Sequence, residues 1–152
     1  MTDRVMKPVL QEDPLTKKVI GEAMHVHRVL GPGFLESIYH NALLLRLKKS
    51  GLQVESQKLL AVYFEGEVMG DFMTDIIVDG RLVLELKAVS ALNSAHEVQL
   101  VNYLTATKIE TGLLLNFGAK SLEFKRKSST YLPPNPVNLV NPVQNSPSVQ
   151  LA

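Results

Sequence analysis

Two alternating runs flank the dipeptide Asp79-Gly80, one from Phe72 to Val78 and the other from Arg81 to Val89. Side chains of a strand point alternately to opposite faces, so the length of the turn decides which residues of the two runs end up together. A two-residue turn sets Asp75 opposite Leu84 and mixes polar with apolar residues on both faces. A three-residue loop, either Val78-Asp79-Gly80 with Gly80 left-handed or Asp79-Gly80-Arg81, reverses the parity. Asp75, Glu85 and Lys87 then share one face. The other becomes Phe72, Ile76, Val78, Leu82, Leu84 and Leu86, an apolar layer suited to packing under helices. The pattern predicts the odd loop, and with it a hydrophobic sheet that carries two carboxylates and an ammonium on one side.

Helices to cover that sheet are legible on either side of it. Leu15, Val19, Ala23, Val26 and Leu30 recur at helical spacing until Gly31-Pro32-Gly33. A second helix is expected from about Leu35 to Ser50, with Leu35, Ile38, Ala42, Leu45 and Lys49 as its stripe and Gly51 as its stop. From Val54 to Asp79 the residues turn β-branched and aromatic, with a turn at Glu65-Gly66 and a further strand from about Asp71. Ser94 and Glu97 have capping-box spacing and open a helix through about Thr107, and the runs LLLNF and LEFKRK read as closing strands. The expected class is α/β, in the order ααβββαββ, one central mixed β-sheet flanked by helices.

Composition narrows the function. A length of 152 residues suits one domain with its own core. The chain has no cysteine, which removes disulfides, thiolate metal sites and cysteine nucleophiles together and fits a reducing cytoplasm. A net charge of +1 excludes a protein that wraps nucleic acid by charge excess alone. The N-terminus lacks a signal-peptide core and no apolar run approaches a bilayer's thickness, so a cytoplasmic protein with no membrane contact is expected. Residues 128–152 hold no charge, five of the eight prolines and four asparagines. They read as a flexible tail after a domain at 15–127 and an N-terminal arm at 1–14.

Two carboxylates on a leucine-rich strand pair are costly to bury, and a hard divalent cation with oxygen ligands compensates them. An ordinary ion pair of Lys87 with Asp75 or Glu85 on an exposed sheet face is the competing reading of the same three residues. Gln99 and Tyr103 lie at i and i+4 on the following helix, with His96 one turn earlier, where an amide and a phenol can bond phosphate or orient Lys87. Glu36 opens the second helix, with Tyr39 one turn on.

The string Gly33-Phe34-Leu35-Glu36-Ser37-Ile38-Tyr39, together with Asp75, Glu85-Leu86-Lys87, Gln99 and Tyr103, resembles the GxxExxY protein family. That family is similar to the RecB-type nucleases of the PD-(D/E)XK superfamily. The resemblance spans roughly Leu15 to Lys127, including VLELKAV, HEVQLVNYL and LLLNFG. It implies a restriction-endonuclease-like core and Mg²⁺-dependent hydrolysis of DNA, or less readily RNA, with Mn²⁺ as a substitute metal. By position it makes Asp75, Glu85 and the Leu86 carbonyl metal ligands, joined by Glu36 as an acidic helper from the helical pair that also belongs to the metal set. Lys87 would orient the attacking water, and Gln99 with Tyr103 match a QxxxY helix motif. His27, which falls in a matching phrase, reads as a helix-packing residue. Met73 departs from the family, in which an arginine often stands shortly before the aspartate.

Charge is unevenly distributed. Residues 65–85 hold six acids and one arginine, a local charge of −5 that leaves +6 for the rest. Lys120, Lys125, Arg126 and Lys127, and Arg46, Lys48 and Lys49, are the basic groups suited to phosphate, or plain solvated faces. A catalytically inactive module binding nucleic acid or protein on the same fold is the alternative. A homodimer and a protein partner docked through the tail remain open.

Overall fold

A computed structural model describes residues 13–129, so the expected arm before Asp13 and the tail beyond Ser129 lie outside the described residues. Helix α1, Pro14–Leu30, begins where proline is favoured, and the Asp13 carboxylate caps it by accepting from the Leu15 amide. Of its expected stripe, Leu15, Val19, Ala23 and Val26 are buried and Leu30 is half-buried against the same core. Helix α2, Glu36–Lys49, ends in a Schellman turn: the Leu52 amide reaches the Leu47 carbonyl, with Gly51 left-handed at φ +80°.

The roll of α2 differs from expectation. Leu35 is 76% exposed, and Ile38 and Leu45 also face solvent, while Tyr39, His40, Leu43 and Leu47 are buried. The run Ala42-Leu43-Leu44-Leu45 makes two faces of the helix apolar, so periodicity alone could not choose between them. Tyr39 makes the choice: its ring is fully buried and stacks on Phe117 at 4.9 Å, and that contact turns the 39–43–47 row inward.

Strands β1 (Val54–Ser56), β4 (Ile76–Val78), β5 (Leu82–Lys87), β6 (Thr111–Asn116) and β7 (Glu123–Ser128) form one mixed sheet in the order β1-β4-β5-β6-β7, parallel only between β5 and β6. The register Ile76↔Leu84, Ile77↔Val83, Val78↔Leu82 leaves Asp79-Gly80-Arg81 as a three-residue loop, the parity expected. Asp79 and Gly80 are left-handed (φ +50° and +66°), and the Asp79 carboxylate accepts from the Gln53 amide. Ile76, Val78, Leu82, Leu84 and Leu86 all lie in the core beneath α1 and α2. A fully buried leucine contributes about 1.5–3 kcal/mol, so this layer dominates the fold's stability.

Two strands expected as continuous are each broken. The chain kinks at Gln57 (φ +53°) and again at Thr74-Asp75, and β2 (Leu59–Phe64) pairs with β3 (Glu67–Met73) in a separate two-stranded ribbon. Two backbone bonds, Gln57 N–H to Asp75 O and Thr74 N–H to Lys58 O, tie the crossing together. Five strands therefore separate α2 from the next helix where three were expected. Phe72 leaves the leucine layer with the ribbon and lies on the opposite side of the sheet, stacked on Tyr103.

Helix α3, Ser94–Thr107, covers that opposite side, over Ile77, Val83 and Leu114. Its capping box is formed one residue earlier than expected: Asn93 accepts from the His96 amide and the His96 ring accepts from the Asn93 amide. His96 is thereby drawn away from Gln99 and Tyr103. Glu97, released from capping, bonds Lys127 at 2.5 Å and ties α3 to β7. At the far end of the domain the Ser129 amide bonds the Glu110 carbonyl, closing β7.

Beyond β6 the chain passes so close to the 88–89 segment that a Cβ at Gly118 would lie 2.4 Å from the Val89 carbonyl oxygen. Asn116 holds Val89 in place through both its amide and its carbonyl. Gly118→Ala should therefore cost about 1–3 kcal/mol in urea unfolding. Gly21→Ala, exposed within α1 with nothing within 4 Å of the new methyl, should gain about 0.5–1 kcal/mol. Similar effects at the two sites would contradict this packing.

Candidate active site

Asp75 occupies the kink between ribbon and sheet, one position before β4, so the β4–β5 register carries it opposite Glu85. Its carboxylate accepts the Leu86 amide at 2.7 Å. Its own carbonyl accepts from the Gln57 amide at 2.9 Å and from His40 Nε2 at 3.2 Å. Because its partner is a carbonyl, His40 must carry its proton on Nε2 there, so it is a donor and not a base toward the nearby Ser56 hydroxyl. His40 thus fixes the backbone from which Asp75 projects.

Glu85 is 4% exposed and sits against Asp75. Burial, then the hydrogen bond to Asp75 and its charge, push the Glu85 carboxyl up to about 9, with Lys87 working in the other direction. At neutral pH the two carboxyl groups therefore hold a proton between them. Glu36, on the solvent side at the start of α2, is raised as well, by burial and then by Asp75, and lowered by Lys87 and His40. These mutual effects place Glu36, Asp75, Glu85 and Lys87 around one site.

Lys87 leaves β5 toward α3 and donates to the Gln99 side-chain oxygen at 3.2 Å. Gln99 in turn donates to the Tyr103 hydroxyl at 2.9 Å, and the Tyr103 ring stacks on Phe72 at 4.6 Å, nearly parallel. Burial and the Glu85 carboxylate raise the Tyr103 phenol. The chain Phe72–Tyr103–Gln99–Lys87 holds the ammonium beside the carboxyl pair. Lys87's carbonyl accepts from the Phe117 amide, just beyond the end of β6. Backbone groups alternate in direction along a strand, so those of Leu86 face the other edge, toward Asp75.

Glu36, Asp75, Glu85, Lys87, Gln99 and Tyr103 converge here, whereas His96, expected on the face of Gln99 and Tyr103, is held at the helix cap by Asn93. Two supporting residues were not foreseen: His40, one turn beyond Glu36 on the same helix, and Phe72. The i, i+4 spacing of Glu36 and His40 was a usable signal; the break that redirects Phe72 was not. Tyr39 acts by structure: its hydroxyl donates to the Gly31 carbonyl at 2.5 Å and accepts from the Phe34 amide, and so braces the turn that leads into Glu36. His27 packs as expected, 8% exposed, bonded to the Ala119 carbonyl and stacked against Phe117. Of the basic groups, Lys125 and Lys127 are engaged by Glu97 and Arg46 by Glu22, which leaves them less suited to phosphate.

Among the described residues no three His, Cys, Asp or Glu side chains form a ready-made metal cage. The donors present are carboxylate oxygens with a strand backbone beside them, a set that suits a hard cation retaining waters and taking further oxygens from a phosphate. The proton held by Glu85 occupies the position in charge balance that such a cation would take.

A model of the PD-(D/E)XK nuclease superfamily matches residues 13–127 of the chain. Among solved structures the chain is similar to the crystal structure of SSO0001, with a TM-score of 0.52 and 20% identity, over 76% of this chain and 59% of that one. The chain thus spans about three-fifths of that relative's length, and the likeness is one of fold. No curated protein matches it in sequence.

The carboxyl pair has a consequence for stability. Glu85 is raised from 4.5 to about 9 in the folded chain, so the folded state keeps a proton that the unfolded state releases. Its contribution is complete below about pH 4.5 and is lost as the pH rises toward 9. In EDTA the melting temperature should fall between pH 5 and about 8, and Glu85→Gln should flatten that slope. A wild-type slope that Glu85→Gln leaves unchanged would show that Glu85 does not hold the proton.

Proposed function

Because the chain belongs to the PD-(D/E)XK nuclease superfamily, we propose that it is a Mg²⁺-dependent nuclease that hydrolyses phosphodiester bonds of DNA. The convergence of Asp75, Glu85 and Lys87 on one sheet face, with Gln99 holding the lysine, carries this reading. Asp75, Glu85 and the Leu86 carbonyl would hold Mg²⁺ or Mn²⁺, with Glu36 at the outer side of the site. A cation held there would supply Lewis-acid activation of the phosphodiester and of the attacking water.

The protein's own groups do the rest. Lys87, steadied by Gln99, gives its ammonium protons to the oxygens on which charge grows in the transition state. Tyr103 fixes the rotamer of Gln99, and Phe72 fixes the ring of Tyr103, so the ammonium is positioned before substrate arrives. Glu36, raised yet facing solvent, would accept a proton from the attacking water. Hydrolysis proceeds by direct attack, since no serine, threonine or tyrosine hydroxyl at the site is paired with a base. The cysteine-free sequence suits the cytoplasm, and among the described residues no helix is long and apolar enough to cross a membrane.

The test is nicking of plasmid and oligonucleotide DNA, with RNA of the same sequence in parallel, in Mg²⁺, Mn²⁺ and EDTA. Cleavage should require the cation. Asp75→Asn keeps an acceptor for the Leu86 amide but removes the charge, and Lys87→Ala removes the ammonium; each should lower the rate by about 10²–10³-fold with the melting temperature little changed. DNA binding without cleavage in any cation would mark the chain as an inactive binding module on this fold. Cleavage that survives both substitutions would exclude this site.

A further inference from the structure

A second basic feature lies on the α1 side of the sheet, at the end where Lys87 closes β5, and outside the machinery described above. A groove of about 520 Å³ runs between the last turn of α1 and the β6–β7 connection, lined by Met24, His27, Arg28, Pro32, Lys120 and Ser121. No acidic side chain lines it. Arg28 and Lys120 are exposed and have no carboxylate within ion-pairing distance among the described residues, unlike Arg46, Lys125 and Lys127. Arg28 alone could be explained as a cation that complements the C-terminal end of α1, an effect of tenths of a kcal/mol. That explanation does not reach Lys120 on the facing loop.

The topology places the groove at the reacting end of the sheet. β5 and β6 run parallel, so Lys87 and the 117–122 connection lie at the same end of the sheet. A short path of contacts joins them: the Phe117 amide bonds the Lys87 carbonyl, Phe117 stacks against His27, and His27 bonds the Ala119 carbonyl. A cavity of about 300 Å³ at the opposite end, lined by Asp13, Arg81, Lys108 and Glu110, mixes both signs of charge. The basic groove is thus at the end where the proposed chemistry occurs, and its charge is of one sign.

We infer that the groove between Arg28 and Lys120 binds the sugar-phosphate backbone of the nucleic-acid strand flanking the scissile phosphate, as a subsite separate from the metal ligands. The inference rests on the nuclease reading for the identity of its ligand. Arg28 offers a planar fork to one phosphate, and Lys120 offers a mobile ammonium from the other wall. The Ser121 hydroxyl, which also lines the groove, can donate to a phosphate oxygen. The rigidity of the walls follows from their fixings: His27 pins the connection to α1, and Tyr39 pins Gly31 at the groove's rim. A groove that is braced in this way loses little freedom on binding.

Binding of a fluorescein-labelled single-stranded oligonucleotide to the full chain, measured by anisotropy in EDTA, separates this subsite from turnover. The double variant Arg28→Ala/Lys120→Ala should raise Kd about tenfold and make the slope of log K against log salt shallower by about 1.4, the release expected for two phosphates of a single strand. In Mg²⁺ the same variant should raise KM by a similar factor with kcat retained. Arg81→Ala/Lys108→Asn, an equal loss of charge at the mixed-sign cavity of the opposite end of the sheet, serves as the control and should leave the slope unchanged. An unaltered Kd and slope in the groove variant, or an equal loss in the control, overturns the subsite. Failure of the nuclease reading looks different: wild-type protein then leaves DNA uncut in every cation while the groove variant still weakens binding.

Discussion

The arrangement depends on one costly contact, two carboxyl groups brought together on a sheet of leucine and valine. Asp75 and Glu85 stand opposite each other because the loop that joins their strands has three residues and not two. Burying such a pair without compensation is unfavourable by several kcal/mol, and a protein tolerates it only by supplying donors or a cation. Here the Leu86 amide serves the Asp75 carboxylate, a shared proton neutralises part of the pair, and Lys87 lies within electrostatic reach. Around this contact the backbone is over-determined. His40 and Gln57 both bond the Asp75 carbonyl, so the residue at the kink has little freedom to turn its charge outward.

The glycine-bounded turn before α2 gains its meaning from the same contact. Tyr39 bonds both sides of that turn and stacks on Phe117, whose amide bonds the carbonyl of Lys87. Glu36 and Lys87, distant in sequence, are thereby set by one stack of rings. In the string G-x-x-E-x-x-Y the tyrosine holds the turn and the glutamate, one helical turn earlier, faces the carboxyl pair. A motif read as chemistry is thus half scaffold: a substitution at Tyr39 acts on the site through the position of α2, with no contact to substrate.

How much of this was legible in the sequence follows from the physics of each element. Strand parity is a two-valued choice, and the clean sorting of Asp75, Glu85 and Lys87 from Ile76, Leu82, Leu84 and Leu86 decided it. Gln99 and Tyr103 followed from helical spacing, and convergence with Glu36 came from the resemblance. What failed was each case in which two local readings had nearly equal merit. Helix α2 has apolar residues on two faces, and only the tertiary stack of Tyr39 on Phe117 selects one. Asn93 and Ser94 are both good caps, and the His96 ring decided for Asn93. Alternation from Phe72 to Val78 concealed a change of sheet, because a kink at Thr74-Asp75 does not disturb the hydrophobic pattern.

Once the strands are placed, the acidic stretch from Glu65 to Glu85 is not a single pool of charge. Glu65, Glu67 and Asp71 are exposed on the β2–β3 ribbon, and Asp79 is occupied as a turn residue bonded to Gln53. Of these six acids only Asp75 and Glu85 face each other, so a cation bound as proposed would be drawn by the geometry of two carboxyl groups and not by the summed −5. The ribbon nonetheless flanks the site, since Phe72 of β3 stacks on Tyr103. Its outward acids repel a polyanion from that side over a distance of about 10 Å at 0.1 M salt. On the other side, across Lys87 and Phe117, lie Arg28 and Lys120. A phosphate backbone bound as proposed would therefore be pushed from the ribbon and drawn toward the α1 side, giving a near-neutral protein a directed path without a large basic surface.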